Sequence, residues 1–151
     1  MGTLFKKIFI VIPVLLFSFE LFSEVHTVKM LNQGPTGVMV FEPAVLKINI
    51  GDTVTFVATD AAHNSASIPS MLPPNATAWN GQLSRDISVT FDIPGVYGYQ
   101  CTPHAMMAMV GIIQVGDDSS NLQAVKNSAS QFKTTFVMNQ TRLDDYLSQL
   151  N

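Results

Sequence analysis

Apolar and polar positions alternate along several short stretches of this 151-residue chain. Residues 25–30 (VHTVKM) alternate, and residues 45–50 (VLKINI) put Leu46, Ile48 and Ile50 on one face with Lys47 and Asn49 opposite. A Gly51-Asp52 turn follows, and residues 53–59 (TVTFVAT) resume with Val54 and Phe56 in phase. Ile87, Val89, Phe91 and Ile93 alternate strictly with Ser88, Thr90 and Asp92 before Pro94-Gly95 turns the chain. Residues 96–100 and 110–115 read as two further strands. Short strands divided by Gly/Pro turns, with no helical pattern between them, predict an antiparallel β-sandwich rather than a βαβ fold. Between them, residues 63–85 carry Pro69, Pro73, Pro74 and several Asn and Ser, which predicts a long loop with at most one short strand.

After Val115 the period changes. Ser119 or Ser120 is placed to cap a short helix through Val125, and Phe136, Gln140, Leu143, Leu147 and Leu150, with Tyr146 alongside, keep helical spacing. These two C-terminal helices are expected to pack on the sandwich and carry no chemistry.

The first residues read as an address. Lys6 and Lys7 precede an apolar run at 8–19 (IFIVIPVLLFSF), which Pro13 interrupts and Glu20 ends short of the ~20 residues a membrane span needs. Residues 1–23 are therefore expected to be an export signal, leaving 24–151 as a single domain: a sandwich at 24–116 and helices at 117–151. Only 13% of residues are charged and the formal net charge is −3, which argues against a disordered chain and against a nucleic-acid binder. Setting aside Lys6, Lys7 and Glu20, six Lys/Arg stand against ten Asp/Glu. Cys101 is the one cysteine, so no intramolecular disulfide or multi-cysteine zinc site can form. A free thiol is a liability in an oxidising compartment, so Cys101 is expected to be either buried or ligated.

The surroundings of Cys101 favour ligation. Cys101-Thr102-Pro103-His104 and Met106, Met107 and Met109 fall between two predicted strands, and His63 lies in the loop after another. A thiolate, two imidazoles and a weak thioether make up the donor set of blue-copper electron-transfer sites. Soft sulfur stabilises Cu(I), imidazole suits both oxidation states, and a strand-end cysteine with a histidine three residues on can reach one metal from a tight loop. His26 has no such company and is expected to be a surface residue.

The chain resembles the cupredoxins, and among them most closely the pseudoazurins. The matching stretches are Met30-Leu31-Asn32, Met39-Val40-Phe41-Glu42-Pro43, Gly51-Asp52-Thr53-Val54-Thr55-Phe56, His63-Asn64, Cys101-Thr102-Pro103-His104, Met107-Ala108-Met109 and Val115-Gly116-Asp117. The resemblance implies a Greek-key sandwich of about eight strands with two C-terminal helices. It further implies one type 1 copper held by His63, Cys101, His104 and Met109. Asn64 would pin the two ligand loops together, Pro103 would stiffen the loop beside the thiolate, and Met39 would pack beside the exposed edge of His104, the electron port. Where pseudoazurins carry docking lysines, this sequence has Gln33, Ala61, Ala62 and Gln100, and Ala105 replaces a bulkier residue.

The resulting expectation is a monomeric, non-enzymatic periplasmic carrier of single electrons. The resemblance implies nitrite reductase or c-type cytochromes as its partners, without nucleic acid or stable membrane association. An exported protein that buffers or delivers copper is the alternative, supported by the Met106, Met107 and Met109 cluster. No orienting acid or oxyanion donor accompanies Cys101 and His104, which argues against a cysteine nucleophile.

Overall fold

The computed structural model describes residues 23–150, so the export-signal reading at 1–23 lies outside the described residues, save for Ser23. Eight strands form two four-stranded sheets. β1 (Val25–Gly34), β2 (Gly37–Glu42), β4 (Thr53–Val57) and β6 (Ile87–Thr90) make one, in the order β2-β1-β4-β6. The other runs β3-β8-β7-β5, from β3 (Val45–Ile48), β5 (Ala66–Ser67), β7 (Gly95–Gln100) and β8 (Val110–Val115). Two helices follow, α1 (Leu122–Phe132) and α2 (Arg142–Leu147).

Alternation governs β4 as the sequence predicts. Val54 and Phe56 are fully buried, while Thr53 and Thr55 face outward and bond the hydroxyls of Thr90 and Ser88 on β6 at 2.8 and 2.9 Å. By contrast β8 is buried at every position, because the sandwich core covers one face and the C-terminal helices the other. Tyr99 meets Phe41 and Phe56 edge-to-face across the core, and this needs glycine beneath it: a Cβ at Gly111 would lie 2.2 Å from the Tyr99 ring.

Several expectations are corrected. β1 pairs with β4, and β3 with β8, in parallel, so the sandwich is mixed rather than antiparallel. The chain leaves β2 in one sheet for β3 in the other, and a period-two pattern reports which face is buried but not which way a strand runs. β1 reaches Gly34, and the Pro35-Thr36 turn returns it as β2, a strand that the alternation did not reveal. β3 stops at Ile48, leaving Ile50 in the following turn and 45% exposed. α1 extends well past Val125, and Asn121 rather than Ser119 or Ser120 stands at its start. The Asn121 side chain accepts from the Val96 N–H and donates to the Val96 carbonyl, both at 2.8 Å, so it imitates a strand neighbour and fastens α1 to β7. The second helix is short, and Phe136 is buried ahead of it.

His26 also departs from expectation. Its Nε2 lies 2.9 Å from Oδ2 of the fully buried Asp52, whose carboxylate accepts the N–H groups of Glu24 and Asn49 at 2.8 and 2.9 Å. This cluster ties the start of β1 to the turn before β4. Burial alone would raise the Asp52 pKa, but the bonds from Glu24, His26 and Asn49 outweigh it and hold the carboxyl below its ordinary 3.8. A depressed folded pKa contributes stability that is complete above the unfolded value and is lost as pH falls through the folded one. Asp52→Ala is therefore expected to cost about 3 kcal/mol near neutral pH, since the Glu24 and Asn49 N–H groups lose their bonds to a buried carboxylate. Below pH 3.8 the gap between variant and parent should narrow, as checked by denaturant unfolding across the acid range.

Candidate metal centre

The loops at one end of the sandwich bring His63, Cys101 and His104, three of the predicted donors, together. Cys101 directly follows β7, His104 lies in the 3₁₀ turn Thr102–Met107, Met109 stands just before β8, and His63 follows β4. Backbone bonds close the loop on itself: Cys101 N–H to Met109 C=O at 2.9 Å, His104 N–H to Cys101 C=O at 3.1 Å, and Met109 N–H to His104 C=O at 3.2 Å. His63 Nδ1 lies 3.6 Å from Cys101 Sγ, His104 Nδ1 lies 3.4 Å from it, and the two nitrogens are 3.1 Å apart. A point equidistant from these three atoms is about 2 Å from each, close to metal–nitrogen and metal–sulfur bond lengths. The donor set therefore fits a metal of the size and softness of copper. His63 and Cys101 are fully buried, and His104 alone of the three reaches solvent.

Neighbouring residues prepare the donors. His63 Nε2 donates to Asn32 Oδ1 at 3.0 Å, which places the ring proton there and leaves the Nδ1 lone pair facing the centre. Asp60 Oδ2 in turn accepts the Asn32 N–H at 2.7 Å. Burial, and then the adjacent His104, hold the His63 pKa below its ordinary value, so the ring stays neutral and able to ligate. Burial likewise pushes the Cys101 thiol up, although the N–H groups of Asn64 and His104 pull it partly back. Ligation must then displace a proton from sulfur. Asn64 is the expected pin: its Oδ1 accepts the Thr102 N–H at 2.8 Å, and its Nδ2 donates to the Gly81 carbonyl and the Thr102 hydroxyl at 2.9 and 3.2 Å.

Ala62 (φ 68°), Ser84 (φ 57°) and Ala108 (φ 58°) on or beside the ligand loops have left-handed backbones, as has Met39 (φ 50°) in β2. Each such conformation costs roughly 1–2 kcal/mol and persists only where the surroundings enforce it. The Ser84 hydroxyl accepts the Ala62 N–H at 2.8 Å, and the Ser84 N–H bonds the His63 carbonyl at 2.8 Å. Among the methionines, Met109 is fully buried, Met107 half-buried and Met106 57% exposed.

The chain's similarities agree with this geometry. Residues 28–116 match the family of copper binding proteins described as plastocyanin/azurin. The chain belongs to that family. It is 40% identical over 130 residues to the pseudoazurin of Paracoccus pantotrophus, covering 86% of each chain. With the pseudoazurin of Methylorubrum extorquens it shares 43% identity over 123 residues, 82% of this chain and 80% of that one. The refined pseudoazurin structure from Methylobacterium extorquens AM1 superposes with a TM-score of 0.75 at 39% identity, over 84% of this chain and 99% of that one. The protein is accordingly a cupredoxin of the pseudoazurin kind, a type 1 copper electron carrier and not an enzyme.

Two groups that matter to this cupredoxin's centre escaped the sequence reading. Asn32 stood only within a matched stretch, and its distance of 31 residues from His63 gave no local signal. The segment after Phe136 docks on the ligand loop, with the Val137 N–H on the Met106 carbonyl at 2.8 Å and Asn139 Nδ2 on the Met107 carbonyl at 3.3 Å. Val137 and Met138 thereby join Val38, Pro103 and Met106 as exposed residues of this region. Asn64→Ala is expected to weaken copper binding about 10–100-fold, because it frees the two ligand loops from each other. Competition against a chelator of known affinity measures it.

Proposed function

We propose that His63, Cys101 and His104 hold the copper with Met109 as a weak axial fourth ligand, and that His104 is the port through which single electrons enter and leave. The triangle of donor atoms with only His104 reaching solvent carries this reading. Bound copper supplies a one-electron Cu(I)/Cu(II) couple. The Cys101 sulfur, once deprotonated, offers soft electron density, and His63 is locked in the ligating tautomer by Asn32. Backbone bonds to both ends of the 101–109 loop support Met109 as the axial ligand, as does its burial. Four protein ligands leave no open position for substrate, in keeping with a carrier. A buffering or delivery role needs accessible, labile ligands, whereas His63, Cys101 and Met109 are buried.

In this reading residues 1–23 direct export and are removed. Residues 24–151 then act as one monomeric domain in the periplasm, the sandwich at 24–116 carrying the site and the helices at 117–151 bracing it. Its partners are redox proteins such as a nitrite reductase or c-type cytochromes. Recognition rests on apolar contact around His104, since the sandwich region holds only Lys29, Lys47 and Arg85 against six carboxylates and the lysine positions of pseudoazurins are neutral here.

Cys101→Ser is expected to abolish the intense visible band of the copper-loaded protein, because no other thiolate exists in the chain. Met109→Gln should keep copper bound while shifting the spectrum and the reduction potential, and Met107→Gln should do neither; the opposite pattern would move the axial assignment to Met107. Electron transfer to a cytochrome c should change little from low to high ionic strength, because little long-range steering exists for salt to screen over ~10 Å at 0.1 M. Stopped-flow rates across a salt series test this, and Met106→Lys should slow the reaction more than Lys29→Gln.

A further inference from the structure

Arg142 opens α2 yet is only 8% exposed, and among the described residues no carboxylate pairs with it. A buried cation without a counter-ion is tolerated only when its donors are satisfied. Here Nη1 donates to the carbonyls of Val38, Met39 and Ala108 at 3.3, 3.0 and 3.1 Å, and Nη2 to that of Val38 at 3.3 Å. Two of these acceptors, Met39 and Ala108, are left-handed residues, and Ala108 immediately precedes Met109. The guanidinium thus bridges the β1–β2 hairpin end to the turn immediately before Met109. Gly37 leaves room for it, since a Cβ there would come 3.2 Å from Nη2.

We infer that Arg142 is a positioning residue for the axial side of the copper centre. By gathering the Val38, Met39 and Ala108 carbonyls onto one guanidinium, it enforces the left-handed turn that delivers Met109. A planar fork serves this better than an ammonium, which has no fixed pair of donors to span two chain segments. The C-terminal helix is thereby part of the site's construction as well as a cover for β8. The inference rests on the reading of Met109 as the axial ligand.

Amide hydrogen exchange on the metal-free, full-length Arg142→Gln variant tests it without copper. The Ala108 and Met109 amides should exchange about tenfold faster relative to those of β7, the effect of losing a charge-assisted bond. In the copper-loaded variant the ratio of the visible bands and the reduction potential should shift. Adding Ala108→Gly should return them toward the parent, because glycine adopts a positive φ without strain. A lower melting temperature with unchanged exchange at Ala108 and Met109, or with an unaltered spectrum, would overturn the inference and leave Arg142 a general brace. Should Arg142→Gln fail to fold, Arg142→Lys keeps the charge but loses the fork and is read by the same measurements. Failure of the axial assignment shows separately, as a Met109→Gln spectrum identical to the parent's while the exchange result stands.

Discussion

His63 Nδ1, Cys101 Sγ and His104 Nδ1 lie within 3.1–3.6 Å of one another although they belong to two separate loops. Something rigid must hold them there. The sandwich does so by anchoring the loops that carry them: His63 lies between β4 and β5, and Cys101 and His104 lie between β7 and β8. Because the Cys101 N–H reaches the Met109 carbonyl, the ligand loop is closed by the same kind of bond that pairs β7 with β8. The loop is in effect an extension of the sheet, and the stiffness of the core is passed directly to the donors.

That stiffness is maintained by polar groups placed around the site. Asn64 joins the His63 loop to Thr102, Ser84 supports the left-handed Ala62, and Arg142 collects the carbonyls of Met39 and Ala108. Each supports a backbone conformation that would relax if left alone, and left-handed residues away from glycine concentrate where geometry is imposed for function. A frame that resists relaxation suits electron transfer, because a site with a compromise geometry needs little rearrangement when its charge changes. The burial of His63 and Cys101 adds to this by excluding water whose reorientation would accompany each transfer.

The opposite end of β1 shows the same economy with different chemistry. Buried Asp52 gathers the Glu24 and Asn49 amides and His26, and so fixes the first strand against the turn that leads into β4. β1 is central to its sheet, between β2 and β4, and it supplies Asn32 to the metal centre at its far end. Fastening its start therefore also steadies the residue that orients His63.

What the sequence determined by itself was local. Alternation identified β1, β3, β4 and β6, helical spacing announced the C-terminal helices, and the 101–109 loop held a sulfur, an imidazole and a thioether within a few residues of one another. These signals are legible because period and loop reach depend on neighbours a few residues apart. The tertiary structure alone decided the parallel pairing of β1 with β4 and of β3 with β8, since alternation is the same for either strand direction. It also decided that Asn32 orients His63, that His26 meets Asp52, and that Arg142 reaches a carbonyl 104 residues away at Val38. A polar side chain carries no mark of which distant backbone it will meet. That partner exists only once the sheets are stacked and the helices are laid across them.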